Sequence, residues 1–165
     1  MNLLRNIFAV CSILILFGIL GYAWCNWEGI SVLKDVAFNE LIKAGIQLKI
    51  DQSRAEFQLS LLVIATLWAL IVAKKDEAQL LLSDVPECLM FCTANLLLLI
   101  SIWFHILYIE NVTYIYSLAG GLEGEKTIPD ILNSGINNPY NFQFWTLSGG
   151  ILVAALTFLS AHKLK

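Results

Sequence analysis

Two histidines, four cysteines and one deeply placed amide are the side chains from which chemistry would have to be built in this sequence. His105 lies near the end of a long apolar run, between Trp103 and Tyr108. A titratable ring there relays protons or binds a ligand if it faces other helices. At a membrane edge it instead bonds to water, headgroups or Ser101 one turn back, and His162 is a tail residue. Cys88 and Cys92 are four apart and share a helix face, but no third or fourth ligand stands near them, so neither metal nor cofactor is expected. The two long polar loops hold no cysteine, since Cys11 and Cys25 also sit in or beside apolar runs, which argues against a disulfide-stapled ectodomain. Asn95 is an amide within an apolar helix and needs a partner on a neighbouring helix. Ser12, Ser60, Thr66 and Thr157 are satisfied by the carbonyls of their own helices and argue nothing by themselves.

No catalytic residues emerge from this inventory. Membrane hydrolases and lipid-modifying enzymes need a nucleophile with a base, or a metal cluster, and two distant histidines assemble neither. The apolar runs hold no Asp, Glu, Lys or Arg between their ends, which speaks against ion pathways and coupled transport. The expectation is a protein that is not an enzyme.

The elements that position these residues are apolar. Of 165 residues 58% are hydrophobic and 14% charged, and the mean hydropathy is +0.73. That exceeds the apolar share of a soluble domain, roughly 45 to 50%, so the chain needs lipid. Net charge is -3 with no basic run, which removes the electrostatic footprint of direct nucleic-acid binding.

Four spans are predicted, at 7–27, 57–73, 86–109 and 142–161, separated by loops 28–56, 74–85 and 110–141, in a single domain 1–165. A signal peptide is the rival reading of the first run, with Arg5 ahead of it and small residues at Gly21 and Ala23. Trp24 before Cys25 excludes a lipoprotein signal, and the run is taken as a helix. Ser53-Arg54-Ala55-Glu56 has the form of a capping box for the second span. Asp84, Pro86 and Glu87 suit the first turn of the third, and Asn141 the cap of the fourth. Lys and Arg in the flanks tie between the two sides. Both termini are placed in the cytoplasm, because the basic residues of that side stand directly at helix ends while the loop before the last span is acidic. The inner membrane of a bacterium is the expected location.

In the first loop Ile30, Leu33, Ala37, Leu41 and Ala44 recur at helical steps, with Gly45 placed to stop an amphipathic helix. Ile46, Leu48 and Ile50 then alternate with polar residues, as do Val112, Tyr114 and Tyr116 in the second loop. Those two segments are expected to pair as a small sheet, and a short helix is expected at 129–133. The fold class is therefore an all-α membrane protein of four transmembrane helices with a small extramembrane cap.

Small residues point to helix packing: Thr146, Gly149, Gly150 and Ala154 in the fourth span, and Gly18 and Gly21 with Cys11 and Cys25 in the first. These faces serve contacts within one chain or between copies of a homo-oligomer. Aromatics at the helix ends, Tyr22, Trp24, Trp27, Trp103, Tyr108, Tyr140, Phe142 and Trp145, read as an interfacial belt in contact with membrane lipid. Asn111-Val112-Thr113 matches a glycosylation acceptor but abuts the membrane and is discounted. Lys74, Lys75, Asp76, Glu77 and Leu81 make a mixed charged and apolar turn on the side assigned to the cytoplasm, suited to docking a soluble protein partner.

Trp24-Cys25-Asn26-Trp27-Glu28-Gly29 touches on the claudin pattern, but the paired loop cysteines of claudins and tetraspanins are missing. In size and four-span plan the whole chain resembles the small membrane subunit of the Kiwa anti-phage system of bacteria, a four-span protein without catalytic motifs. That resemblance implies an oligomer that senses phage-induced disturbance of the envelope and acts through a cytoplasmic partner that binds DNA; it carries over no functional residue. The function expected is a membrane sensor or scaffold, and the alternative is an oligomeric pore or membrane-depolarising effector with Asn95 as its deep polar group.

Overall fold

A computed structural model describes residues 2–27, 35–37, 40–72, 82, 84–120, 127–129 and 134–161. Four helices are long and apolar enough to cross a membrane: α1 (Asn2–Cys25), α2 (Glu40–Val72), α3 (Val85–Gly120) and α4 (Ser134–Ala161). The number of spans agrees with the sequence reading, but all four helices are longer than their predicted spans, α1 only slightly and α2, α3 and α4 by two turns or more.

The difference arises in the segments read as cap. Ile46–Ile50 lies within α2 and Val112–Tyr116 within α3, so the sheet expected between them does not form. Exposure shows which period wins: Ile46 is 2% exposed while Leu48, its partner under strand alternation, is 71% exposed. On α3, Val112 and Ile115 are buried at a helical step of three. The separate amphipathic helix is also absent as such, because Ala37 is in a strand and Leu41 and Ala44 belong to the first turns of α2, which runs through Gly45. Residues 30–34 and 130–133 lie outside the described residues, and with them most of the expected short helix. Ser53-x-x-Glu56 is mid-helix and caps nothing. α4 starts at Ser134, not after Asn141, and takes Pro139 inside it, at the cost of one backbone bond. Asp84 does cap α3: its carbonyl accepts from the Glu87 and Cys88 amides at 3.1 and 3.2 Å, and Glu87 Oε2 accepts from the Asp84 amide at 3.3 Å. Between the two long loops, Asp35–Ala37 (β1) pairs antiparallel with Thr127–Pro129 (β2), Val36 opposite Ile128.

Helices α3 and α4 form the central pair; α1 and α2 each pack on that pair, and among the described residues they do not touch one another. Glu87, Met90, Ala94, Leu97, Ser101, Phe104 and Tyr108 are the buried line of α3, recurring at alternating steps of three and four that suit left-handed bundle packing. On α1, Arg5, Ala9, Ser12 and Ala23 are buried on the same period. α4 meets both with its smallest residues. A Cβ on Gly149 would stand 2.6 Å from Ile19 Cδ1 of α1, and one on Gly150 2.8 Å from Leu98 Cγ of α3. Thr146 and Ala154 are buried beside them.

Candidate functional site

Among the described residues two polar sets are buried, one near each end of the bundle. The first joins α2, α3 and α4. Gln143 is fully buried; its Nε2 donates to the Ser53 carbonyl at 2.7 Å and its Oε1 accepts from the Ser53 hydroxyl at 2.5 Å. The carbonyl can only accept, so it fixes which way the amide points, and the amide oxygen then takes the single serine proton. His105 Nδ1 lies 2.7 Å from the same Ser53 Oγ and must supply its own hydrogen to that contact. The network thus assigns the Nδ1–H form to His105 and leaves Nε2 as its acceptor. The ring is held flat against Phe57, one turn along α2 from Ser53, at 4.7 Å between centroids.

The direction of these bonds decides the chemistry. A nucleophilic serine gives its proton to an imidazole that lacks one, whereas the Ser53 hydroxyl is turned to an amide oxygen and receives a hydrogen from the ring. Ser53, Gln143 and His105 therefore form a joint between three helices. The joint extends inward: Ser101 donates to the Gln143 carbonyl at 3.1 Å, Ser60 to Ser101 at 3.3 Å or to the Glu56 carbonyl at 3.0 Å, and Thr146 to the carbonyls of Phe142 and Gln143. Glu56 is 8% exposed, with Gln52 Nε2 donating to Oε1 at 3.2 Å and Oε2 without a partner.

The second set ties α1 to the start of α3. Arg5 Nη1 contacts Asp84 Oδ2 at 2.5 Å and Glu87 Oε1 at 3.3 Å. The Arg5 side chain is 10% exposed and that of Glu87 1%. From Glu87 to His105, or from Arg5 to Ala23, the rise is about 27 Å, close to the roughly 30 Å of a hydrocarbon core. The two polar sets therefore bracket the lipid-facing span. Beyond the Ser53 layer the three helices continue for about 14 to 22 Å as a packed head, with Ile46, Tyr108, Val112 and Ile115 as its core. There Lys49 bonds to Asn137 and lies over the Tyr140 ring, and Asn138 reaches the Asn26 carbonyl at the end of α1 at 2.5 Å.

The residues singled out by sequence fall unevenly on this geometry. His105 is in the joint, bonded to Ser53 and not to Ser101. Asn95 accepts from Trp68 Nε1 of α2 at 3.1 Å and donates to its own helix at Phe91, which is the interhelical bond its depth called for. Ser12, Ser60, Thr66 and Thr157 each bond to the carbonyl four residues back. Thr146, Gly149, Gly150 and Ala154 pack within the chain, whereas nothing lies within 4 Å of a Cβ built on Gly18 or Gly21. Cys11, Cys25, Cys88 and Cys92 are exposed free thiols, and among the described residues no group of three metal-ligating side chains comes together. Lys74, Lys75, Asp76, Glu77 and Leu81 lie outside the described residues. Of the aromatic belt, Trp24, Trp103 and Trp145 face outward, but Tyr108 and Phe142 are each 1% exposed and belong to the core. Ser53, Glu56, Gln143 and the Arg5 pairing were missed as site residues. The signal available was the 53, 56, 60 spacing on one face of α2, masked by its likeness to a cap.

Set against known proteins, the chain matches no protein-family model, no curated protein and no solved structure.

Proposed function

We propose that this chain is a non-enzymatic sensor or scaffold subunit of a membrane assembly, in which the helical head receives a signal on one side of the bilayer and unbroken helices carry it to the other. The observation that supports this is continuity: α2 and α3, of 33 and 36 residues, each run from the head through the bilayer, and the Ser53–Gln143–His105 joint fixes their register where they leave it. A stiff helix pinned at one level converts a displacement of the head into a displacement at its far end.

In this reading the protein is a homo-oligomer of a bacterial inner membrane with both termini in the cytoplasm. Its trigger is disturbance of the envelope during phage infection, and Lys74, Lys75, Asp76, Glu77 and Leu81 dock a cytoplasmic protein partner. The test is co-expression with the protein encoded next to it, extraction into nanodiscs, and native mass spectrometry. A closed oligomer holding the partner, released when Lys74 and Lys75 are changed to Glu, is the expected result. A lone monomer without a bound protein would remove the reading. A reporter fused after Lys165 that is active only outside the cytoplasm would reverse the orientation.

A further inference from the structure

Glu56 is the one group of the polar layer whose needs the layer does not meet. The residue is 8% exposed, and Oε2 has no hydrogen-bond partner. The neighbours that would answer it are committed elsewhere. Ser60 gives its proton to Ser101 or to the Glu56 backbone, and Ser101 gives its proton to Gln143. On the same helix Lys49 is held by Asn137 and the Tyr140 ring, and Arg54 turns to Asp51. From α3 the titratable groups are His105, bonded to Ser53, and Tyr108; from α4 there is Tyr140, whose ring packs on Tyr108 and which lies close enough to feel the Glu56 charge without a hydrogen bond to Oε2. A buried carboxylate with no opposite charge is costly, and among the described residues no cation of the chain faces this one, so it calls for a positive charge taken up at the site.

We propose that Glu56 is a binding site for a small monovalent cation, a proton or a sodium ion, taken up at the membrane boundary where α2 enters the head. Size follows from burial: Glu56 is 8% exposed, and Ser53 and Ser60, three and four residues away on the same helix, are fully buried, which favours a ligand of atomic dimensions. Charge follows from there being one carboxylate, since divalent cations are usually held by several. Hardness follows from the unsatisfied donor, a carboxylate oxygen. The Ser60 and Ser101 protons are directed at other acceptors, so neither answers Oε2. The inference does not depend on the sensor reading, because it concerns occupancy of one carboxyl and not a partner.

The test uses the full chain in nanodiscs, wild type and Glu56→Gln, with glutamate labelled by carbon-13. In the proton arm, infrared spectra are taken from roughly pH 4 to 9, the range over which buried carboxyls titrate, with choline as the only cation. A glutamic-acid carbonyl band that appears on acidification in the wild type and is missing from Glu56→Gln identifies a proton. In the sodium arm, sodium chloride replaces choline chloride at fixed pH and ionic strength. A sodium-specific rise in melting midpoint of about 5 to 10 °C at saturating salt, lost in Glu56→Gln, identifies sodium. Should Glu56→Gln not fold, Glu56→Asp replaces it, and the band then moves to the aspartate frequency or the midpoint shift shrinks. An ionised carboxylate at every pH, with a midpoint indifferent to sodium, overturns the proposal and makes Glu56 a merely hydrated side chain.

Discussion

The closest approach of α4 to α3 at a glycine is at Gly150, and its consequence can be worked out. A Cβ there stands 2.8 Å from Leu98 Cγ, 2.9 Å from Leu98 Cδ2 and 3.4 Å from Leu97 Cβ, against about 3.5 to 4.0 Å for unstrained carbon contacts. Leu98 is 0% exposed, and Cγ is its branch point, so relief requires moving the whole side chain or separating α3 from α4. Overpacking of this kind costs about 1 to 3 kcal/mol per substitution, offset by about 1 kcal/mol for removing a helical glycine. Gly150→Ala should therefore cost about 1 kcal/mol net. Gly150→Val, with two more methyls and less helix preference to offset them, should cost about 3 kcal/mol. For a chain of this length that lowers the melting midpoint by roughly 6 to 12 °C, measurable by thermal unfolding in nanodiscs. Gly18→Val is the control: nothing lies within 4 Å of its Cβ position, and its midpoint should stay within about 2 °C of wild type. If Gly150→Val melts with the wild type, the α3–α4 spacing argued above is wrong. If Gly18→Val falls as far as Gly150→Val, the outer face of α1 is covered in the membrane, which would place a contact between subunits there.

Replacing Arg5 by Met removes the guanidinium that faces buried Glu87 and Asp84 and should cost about 3 kcal/mol; Arg5→Met with Glu87→Gln should lose less than the two single variants summed, and strictly additive losses would mean the pair does not interact. Gln143→Leu frees the Ser53 hydroxyl to turn toward His105, at a cost of about 2 kcal/mol. Nitrogen-15 spectra of the imidazoles should accordingly report Nδ1–H at His105 in the wild type and Nε2–H in Gln143→Leu, and an Nε2–H ring in the wild type would show the bond directions to be reversed. Spin labels at Leu4 and Leu89 should give a narrow distance distribution, because Arg5 pins α1 to α3 at that level. Labels at Val72 and Leu89 should give a broader one, and similar widths would remove the argument for a mobile α2 end.

The apolar runs were legible because nothing but lipid explains twenty uncharged residues in a row. Their continuation into the head was not, since a head helix that is half solvated carries polar residues at places that imitate a strand. Lys49 and Gln47 between Ile46, Leu48 and Ile50 gave an alternation of period two, and the deciding fact, Leu48 exposed at 71%, is a tertiary one. Ser53 and Glu56 imitated a cap for the same local reason: the spacing that lets a serine and a glutamate meet at a helix start also puts them on one buried face in a helix middle. Gln143 attracted no attention because an amide at the edge of a span is ordinary there; its value comes from the Ser53 carbonyl 90 positions earlier. Asn95 was legible because no such ambiguity exists at mid-membrane, where an amide must find a neighbour.

The distribution of these polar contacts limits how the molecule can move. α1 is held at both ends, by Arg5 against Asp84 and Glu87 and by the Asn26 carbonyl against Asn138. α2 is held by the Ser53 layer where it enters the head and by the Trp68–Asn95 bond within the lipid-facing span. Below Trp68 the described part of α2 has only apolar contacts, and Val72 at its end is 77% exposed. Apolar contacts between lipid-facing helices are exchanged for contacts with lipid at little cost, because the tails are as apolar as the side chains. A rotation of the head about the Ser53 joint would therefore be taken up by the end of α2, held among the described residues by apolar contacts of Leu70 and Ile71, before it is taken up by α1. That end leads directly into Lys74, Lys75, Asp76 and Glu77, so the segment proposed to dock a partner is the one to which the pattern of pins would deliver motion.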